Sequence, residues 1–200
     1  MVKVIIAFGS NSGNRRRNIK KGLELIAKAN SKSPLPPLFQ RGESPFCKGG
    51  RREIRKRVGG GSVKIILCSP YYETEPVEGV TGKKFLNGVL LVETALKTQS
   101  LLRILQEIEE KVGRPKVHQP KESRNLDLDI IYYGDRVINK PNLQIPHPKR
   151  LDRWFVIKPA AEVAPDFYDP ILKKKLSKIC RGRIHPTRKG FTNADSQNNI

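Results

Sequence analysis

The sequence predicts an α+β fold, a ferredoxin-like sandwich with a βαββαβ core and C-terminal additions. Strand-like apolar or alternating segments and two segments with helical spacing follow one another in the order β-α-β-β-α-β. Two hundred residues also suffice for one domain with a core of its own. Two helices covering one sheet is the natural arrangement for this order of elements.

The first half of the predicted core begins with an apolar strand at 3–8, which ends in a turn-rich loop. A helix follows at about 15–29, with apolar residues at helical spacing and Asn14 as its N-cap. Residues 31–62 break the pattern, since they hold four prolines, six glycines and no periodic apolar face. We interpret this segment as a flexible surface insertion.

The second half continues with a long strand at 63–73 and another strand at 85–94. A helix with Ser100 as N-cap and Gly113 as C-cap is predicted next. A strand then runs through 124–133, and a short helical turn lies at 160–164. Residues 1–172 are thus predicted to form a single domain, interrupted at about 31–62, and 173–200 to form a basic, disordered tail.

The net charge of +20 is concentrated in two segments outside the predicted core. Eight basic and two acidic residues lie in 31–62, and eight basic and one acidic lie in 173–200, so these segments carry +13. A nucleic-acid or membrane partner is therefore less strongly indicated than the total suggests.

The cysteines and the N-terminus indicate the compartment. Three cysteines, far apart in sequence, provide neither a disulfide framework nor a C-x-x-C zinc site. The apolar run at 1–8 is too short for a signal peptide or a membrane helix. We expect a cytoplasmic protein.

The most informative chemical feature is the pair Asp127 and Asp129. Side chains two apart in a strand point to one face, so these carboxylates lie together, with roughly 6–7 Å between their backbones. Such a pair suits Mg²⁺, although two solvated acids on an edge strand would give the same pattern. Arginine, lysine and histidine on both sides favour phosphoryl transfer. The sequence contains no Walker loop, dinucleotide fingerprint, His-Glu-x-x-His or Gly-x-Ser-x-Gly motif.

Six short motifs make the interpretation more specific. They are Phe8-Gly9-Ser10-Asn11, Tyr72-Glu73-Thr74-Glu75-Pro76, Phe85-Leu86-Asn87, Gly113-Arg114, Arg124-Asn125-Leu126-Asp127-Leu128-Asp129 and Pro146-His147-Pro148. In this order they resemble the 6-hydroxymethyl-7,8-dihydropterin pyrophosphokinase family of folate biosynthesis. The resemblance extends over about residues 2–170, apart from 31–62.

The resemblance implies an activity, its cofactors and a site. The family transfers pyrophosphate from ATP to the hydroxymethyl group of the pterin and releases AMP. The implied catalytic residues are Arg114, Arg124, Asp127 and Asp129, and the two aspartates would hold two Mg²⁺ ions. The implied ATP-binding residues are Gln106, Glu109, Lys116, Arg124, Ile130, His147 and Arg153. The implied pterin-binding residues are Thr74, Glu75, Val77, Phe85, Asn87 and Phe155. The implied partners are the two small-molecule substrates, with no nucleic acid and no membrane, and the implied state is a monomer.

One departure leaves alternatives open. Lys121-Glu122-Ser123 stand where many family members have Trp-Gly-Pro, so an aromatic cover for the pterin is missing. Glu75 stands where proline is common. A catalytically impaired family member is therefore one alternative. A basic nucleic-acid-binding module of the same fold class is another, but its basic-aromatic signature is absent from the sequence.

Overall fold

The computed structural model describes residues 1–29, 63–76, 83–113, 123–182 and 192–193. The predicted insertion at 31–62 lies outside these ranges. The core elements are β1 (Val2–Ser10), α1 (Arg15–Lys28), β2 (Val63–Cys68), β3 (Tyr72–Thr74), β4 (Phe85–Thr94), α2 (Thr98–Val112) and β5 (Asp127–Tyr133). After them come β6 (Ile138–Lys140), β7 (Leu143–Ile145), a 3-10 turn (Pro148–Arg150), α3 (Trp154–Val163), β8 (Tyr168–Asp169), β9 (Lys174–Lys175), α4 (Leu176–Arg181) and β10 (Thr192–Asn193).

The main sheet is antiparallel and has the order β10-β3-β4-β1-β5, with β2 also paired to β4. With β2 and β3 taken as one interrupted edge, the order of the four core strands is that of a ferredoxin-like fold. The predicted fold class is therefore confirmed. No helix in the described part of the chain is long and apolar enough to cross a membrane.

Helices cover both faces of the sheet, so β1 at its centre is apolar on both sides. Val4, Ile6 and Phe8 pack in a core beneath α1 and α2. The alternate residues Ile5 and Ala7 pack in a second core beneath α3 and α4. Because both faces are buried, the strand reads as an unbroken apolar run instead of an alternating one.

A bulge in β5 decides which side chains reach which core. Ile5 pairs with Tyr132, and Ile6 pairs with Ile130, so Ile131 is an extra residue in the strand. Ile131 and Tyr132 therefore both lie in the α3–α4 core. Before the bulge, Leu128 and Ile130 face the α1–α2 core. The intervening aspartates are left on the α3 side.

The predicted ends of the first helix and of the second are partly confirmed. Asn14 caps α1, since its Oδ1 accepts a hydrogen bond of 3.0 Å from the Arg17 amide. Gly113 ends α2 in a left-handed conformation with φ of 109°. The predicted start of α2 was wrong. The helix begins at Thr98, and its N-cap is Lys97, three residues before the predicted N-cap Ser100.

Two other predicted elements are corrected. The strand predicted at 63–73 is two strands, β2 and β3. The pairing with β4 ends at Ser69, whose amide donates to the Val89 carbonyl and whose Oγ accepts from the Val89 amide. The next residue, Pro70, has no amide hydrogen with which to continue the ladder. The helical turn predicted at 160–164 is the end of the longer helix α3, which contains Pro159.

The predicted start of a disordered tail at residue 173 is also wrong. Strand β9 and helix α4 follow that position, and α4 packs against α3. Leu176 and Ile179, three residues apart, are buried in the α3–α4 core. Lys178 lies between them at an exposed position of this short amphipathic helix.

Candidate active site

The two aspartates lie at the beginning of β5, on the face of the sheet that α3 covers further along. Asp127 pairs with Gly9 of β1, and Asp129 pairs with Ala7. The side chains of Asp127 and Asp129 are 22% and 35% exposed, so both remain accessible to a ligand. The structure thus confirms that the two carboxylates share a face, with Leu126 and Leu128 buried on the other.

Each carboxylate has an arginine partner. Arg124 Nη1 donates to Asp127 Oδ1 over 2.5 Å, and Arg153 Nη1 donates to Asp129 Oδ2 over 3.3 Å. Arg153 Nε is buried and makes no hydrogen bond within the described residues. A buried guanidinium donor without a partner is costly unless a ligand supplies an acceptor. The arrangement provides both anionic oxygens and cationic donors at one place.

The electrostatics of the pair favour a cation. Burial and the neighbouring Asp127 raise the pKa of Asp129 to about 6, although Arg153 and Arg124 act in the opposite direction. A divalent ion between the carboxylates would remove this repulsion. Within the described ranges, no group of three or more Asp, Glu, His or Cys side chains could hold a metal. Two carboxylates with phosphate oxygens completing the shell is a usual environment for Mg²⁺, so the residues fit that ion.

Glu109 supports the strand that carries the aspartates. It is buried on α2, and its Oε1 accepts a hydrogen bond of 2.7 Å from the Leu128 amide, between the two aspartates in sequence. The sequence suggested an ATP contact for this residue, and that role remains a prediction. Its contact with β5 was not anticipated, because the sequence does not reveal which strand lies beside α2.

Asn11 fixes the backbone of Arg124. The Arg124 amide donates to Asn11 Oδ1 over 2.6 Å, and the Asn11 amide donates to the Arg124 carbonyl over 3.0 Å. Asn11 is almost fully buried. Asn11 belongs to the motif Phe8-Gly9-Ser10-Asn11, but the sequence predicted no role for it. The two residues are 113 positions apart in sequence. Membership of the motif was therefore the only sign in the sequence that Asn11 has a role.

His147 lies next to this cluster, at the N-cap of the 3-10 turn. Its amide donates to the Ile131 carbonyl over 2.9 Å, and its Nδ1 accepts from the Lys149 amide over 3.2 Å. Burial and the charge of Arg153 lower the pKa of His147 to about 4, although Asp127 acts in the opposite direction. The ring is therefore neutral at pH 7, with the proton on Nε2 as a donor.

Three of the predicted pterin residues lie together on the same face as the aspartates. Asn87 Nδ2 donates to Thr74 Oγ1 over 2.8 Å, and both residues are buried. Asn87 pairs with Gly9, and Gly9 pairs with Asp127, so an amide and a carboxylate lie in one row across the sheet. Two strand spacings separate them, roughly 10 Å. Phe85 shares a face with Asn87, two residues away in β4.

The structure places the remaining predicted residues in different environments. Phe155 is half-buried on α3, against the α3–α4 core. Gln106 is exposed on α2, and Glu75 is exposed and paired with Lys84 over 2.8 Å. Ile130 is buried in the α1–α2 core, on the opposite face from Asp129, so a side-chain contact with ATP is not supported. Arg114, Lys116 and Val77 lie outside the described residues.

The chain is similar to known proteins. The family model for 7,8-dihydro-6-hydroxymethylpterin-pyrophosphokinase matches residues 49–165. A 2-amino-4-hydroxy-6-hydroxymethyldihydropteridine pyrophosphokinase of Synechocystis is 38% identical over 108 residues, 54% of this chain and 54% of the relative. The enzyme of the same name from Pseudomonas aeruginosa is 36% identical over 107 residues, 54% of this chain and 65% of the relative.

Longer relatives and a solved structure match more of the chain. The folic acid synthesis protein fol1 of Pneumocystis carinii is 34% identical over 168 residues, 84% of this chain but 18% of the relative. This chain thus spans 54% of the Synechocystis relative and less than a fifth of the fungal one. A Plasmodium falciparum HPPK-DHPS structure matches 90% of this chain and 45% of its own, with a TM-score of 0.62 at 13% identity, which supports the fold alone. On the extent of the family match, the chain belongs to the 7,8-dihydro-6-hydroxymethylpterin-pyrophosphokinase family.

Proposed function

We propose that this protein transfers pyrophosphate from ATP to the hydroxymethyl group of 6-hydroxymethyl-7,8-dihydropterin and releases AMP, as a step of folate biosynthesis. The observation that carries the proposal is the row Asn87–Gly9–Asp127. It connects an amide suited to a heterocycle edge with a carboxylate pair suited to a metal-bound triphosphate. Family membership supports the same reaction.

The reaction balances without a covalent enzyme intermediate. The pterin hydroxyl oxygen forms a bond to the β-phosphorus, and the bond from that phosphorus to the α,β-bridging oxygen breaks. The electron pair leaves with AMP, and the hydroxyl proton passes to solvent. Positioning and charge stabilisation are therefore the main tasks of the protein.

The aspartates and arginines take the phosphate side of the site. Asp127 and Asp129 would hold two Mg²⁺ ions, which when bound neutralise charge on the triphosphate and align it. Arg124 and Arg153 lie beside those carboxylates and can donate to phosphate oxygens, Arg153 through its buried Nε in particular. Arg114 is proposed to share this catalytic role.

The nucleotide is proposed to extend from these groups toward His147. A neutral imidazole with its proton on Nε2 donates to a phosphate or ribose oxygen without adding charge. Lys116, Gln106 and Glu109 are proposed as further ATP contacts from the family resemblance.

The pterin is proposed to lie over Gly9, between Asn87 and the metal site. Asn87 offers a carboxamide to the amide-like edge of the ring, and Thr74 orients that carboxamide. Phe85 and Phe155 supply apolar surface for the ring faces. Val77 and Glu75 are proposed to complete the pocket. The proposed partners are these two substrates, bound by a monomer in the cytoplasm.

The experiment that tests the function is product analysis of the purified protein with Mg²⁺, ATP and the hydroxymethyl pterin. The proposal expects AMP and the pterin diphosphate in equal amounts. Replacing Arg124 or Arg153 with alanine should slow AMP release by ~10²-fold or more, since each removes a positioned cation. The matched control is Arg103→Ala, an exposed arginine of α2, which should leave the rate unchanged. Formation of ADP instead of AMP, or no turnover at all, would contradict the proposed function.

A further inference from the structure

We propose that Arg150, Asp169 and Tyr132 form a buried brace that positions His147 and Arg153 for the nucleotide. The brace makes the C-terminal segment at 168–181 a contributor to ATP binding. This inference rests on the proposed function, because that function assigns His147 and Arg153 to ATP. Arg150, Asp169 and Tyr132 are positioning residues that do not themselves touch the substrate.

The brace is a hydrogen-bonded ion pair in the interior. The side chains of Arg150 and Asp169 are 7% and 0% exposed. Arg150 Nε donates to Asp169 Oδ2 over 2.8 Å, and Arg150 Nη2 donates to Oδ1 over 3.4 Å. The Tyr132 hydroxyl donates to Asp169 Oδ2 over 2.9 Å. Both charges are therefore satisfied in a place that solvent does not reach.

One side of the brace reaches the ATP residues. Arg150 is the last residue of the 3-10 turn that His147 caps, and its amide donates to the His147 carbonyl over 3.0 Å. The same carbonyl accepts a longer bond of 3.5 Å from Arg150 Nη1. Arg153 follows three residues later, at the N-cap of α3. Fixing the Arg150 side chain therefore fixes the short segment between the two nucleotide residues.

The other two sides reach β5 and the C-terminal segment. Tyr132 belongs to β5, the strand that carries Asp127 and Asp129. The brace therefore links the 3-10 turn to the strand of the proposed metal site. Asp169 Oδ1 also accepts the amides of Ile171 and Leu172, over 2.8 and 2.9 Å. These bonds close the connection from β8 to β9, which leads directly into α4.

Stability alone does not account for a charged brace. Replacing a buried ion pair by apolar residues of similar volume is often neutral or stabilising. Directional bonds to a fixed acceptor instead select one orientation of the turn. The benefit of the brace should accordingly appear in nucleotide affinity.

The test uses Arg150→Lys and Tyr132→Phe in the full chain. Lysine keeps the charge opposite Asp169 but cannot donate at the same time to Oδ2, Oδ1 and the His147 carbonyl. Phenylalanine removes one hydroxyl and keeps the ring. The matched control is Asp166→Asn, which removes the Lys175 ion pair of 2.9 Å in the same segment, where Asp166 is 81% exposed.

The first readout is the steady-state KM for each substrate. The second is the Kd of α,β-methylene-ATP, titrated into the protein in the presence of Mg²⁺. Binding is followed by the fluorescence of Trp154, the single tryptophan, which adjoins Arg153. Arg150→Lys should raise the ATP KM and the analogue Kd by roughly tenfold, as loss of an outer partner of a binding group does. Tyr132→Phe should shift both in the same direction by a smaller factor. The pterin KM and the Asp166→Asn control should stay at wild-type values.

Wild-type nucleotide affinity in both variants, with circular dichroism unchanged, would overturn the brace. So would an equal loss of affinity in Asp166→Asn, because that result would indicate general loosening of the segment. If Arg150→Lys does not fold, Tyr132→Phe decides. Failure of the proposed function is a separate result, since the analogue titration reports nucleotide binding whether or not AMP is formed.

Discussion

At the scale of single residues, the site holds two carboxylates that repel each other, although each has an arginine partner. Asp127 and Asp129 lie on one face of β5, and Glu109 accepts a hydrogen bond from the Leu128 amide between them. Burial and the neighbouring Asp127 together raise the pKa of Asp129. Carboxylates whose pKa is raised by burial and a neighbouring charge are concentrated at functional sites, and structural ion-pair networks also contain them.

This arrangement predicts opposite pH trends for stability and for metal binding. The folded-state pKa of Asp129 is about 6, above the unfolded value of about 3.9, so the folded state binds more protons between these limits. Its contribution to the free energy of unfolding therefore falls as pH rises from about 4 to about 6. Mg²⁺ requires the ionised carboxylate, so metal affinity should rise over that window.

The comparison with Asp129→Asn isolates this effect. His147 has a folded pKa of about 4, below its unfolded value, and acts on stability in the opposite direction over the same pH range. Subtracting the variant cancels this term. Urea unfolding at pH 5 and pH 7 should show the wild type losing stability relative to the variant, by ~1 kcal/mol or less, because Asp129 is about one-third exposed. A pH-independent difference would contradict the raised pKa.

Gly9 predicts a selective effect on the pterin. A Cβ at this position would lie 2.7 Å from Asn87 Oδ1. Gly9→Ala should therefore displace the Asn87 amide and place a methyl group where the pterin is proposed to lie. We expect the pterin KM to rise by ~10-fold or more, since a site built to hydrogen-bond its substrate tolerates displacement poorly. The affinity for Mg²⁺ and α,β-methylene-ATP should not change.

The control for Gly9→Ala is Gly88→Ala in the adjoining strand. There a Cβ would lie 2.3 Å from Phe8 Cζ, a core residue, so the expected result is lower stability with the pterin KM unchanged. An unchanged pterin KM in Gly9→Ala would contradict the proposal that the pterin lies over Gly9.

At the scale of elements, periodicity predicted what local sequence determines. Helical spacing of apolar residues predicted α1 and α2, alternation predicted the start of β5, and short apolar runs predicted β1 and β4. The break between β2 and β3 was missed, since the surrounding residues are strand-like and only Pro70 signals an interruption. The C-terminal helix was missed because four lysines in 173–178 dominate the composition around the two buried residues Leu176 and Ile179.

Some features of the site could be predicted from local sequence, and others could not. The shared face of Asp127 and Asp129 follows from strand geometry. The family resemblance implied pterin contacts for Asn87 and Thr74, and that role stays a prediction. The contacts of Asn11 with Arg124, and of Arg150 with Asp169, join segments whose approach depends on the tertiary fold. No local pattern reports such contacts.

Helix α4 supplies the prediction that belongs to this scale. Leu176 is fully buried in the α3–α4 core, so Leu176→Ala should lower the free energy of unfolding by about 3 kcal/mol. Leu172→Ala, at a 39% exposed leucine four residues earlier, should lower it by less than ~1 kcal/mol. Denaturant titration of both proteins checks this. Equal effects would mean that α4 is not part of the folded core.

At the scale of the whole molecule, the two cores have different relations to the site. The α1–α2 core holds the rear face of the sheet, and Glu109 reaches from it to β5. The α3–α4 core packs on the other face of the sheet, and Gly9, Asn87 and the two aspartates belong to that same face. The net charge of +20 lies mostly in 31–62 and 173–200, so the acidic pair is a local exception in a basic chain.

The most direct test of the account is the rate of AMP release by Asp127→Asn and Asp129→Asn beside the wild type, with Mg²⁺, ATP and the hydroxymethyl pterin. Each replacement keeps the shape of the side chain and removes the negative charge that is proposed to bind Mg²⁺. We predict that either variant loses nearly all transfer, an increase of several kcal/mol in the barrier, while circular dichroism reports an intact fold. Near-native AMP release by both variants at saturating Mg²⁺ would contradict the assignment of this carboxylate pair as the metal site.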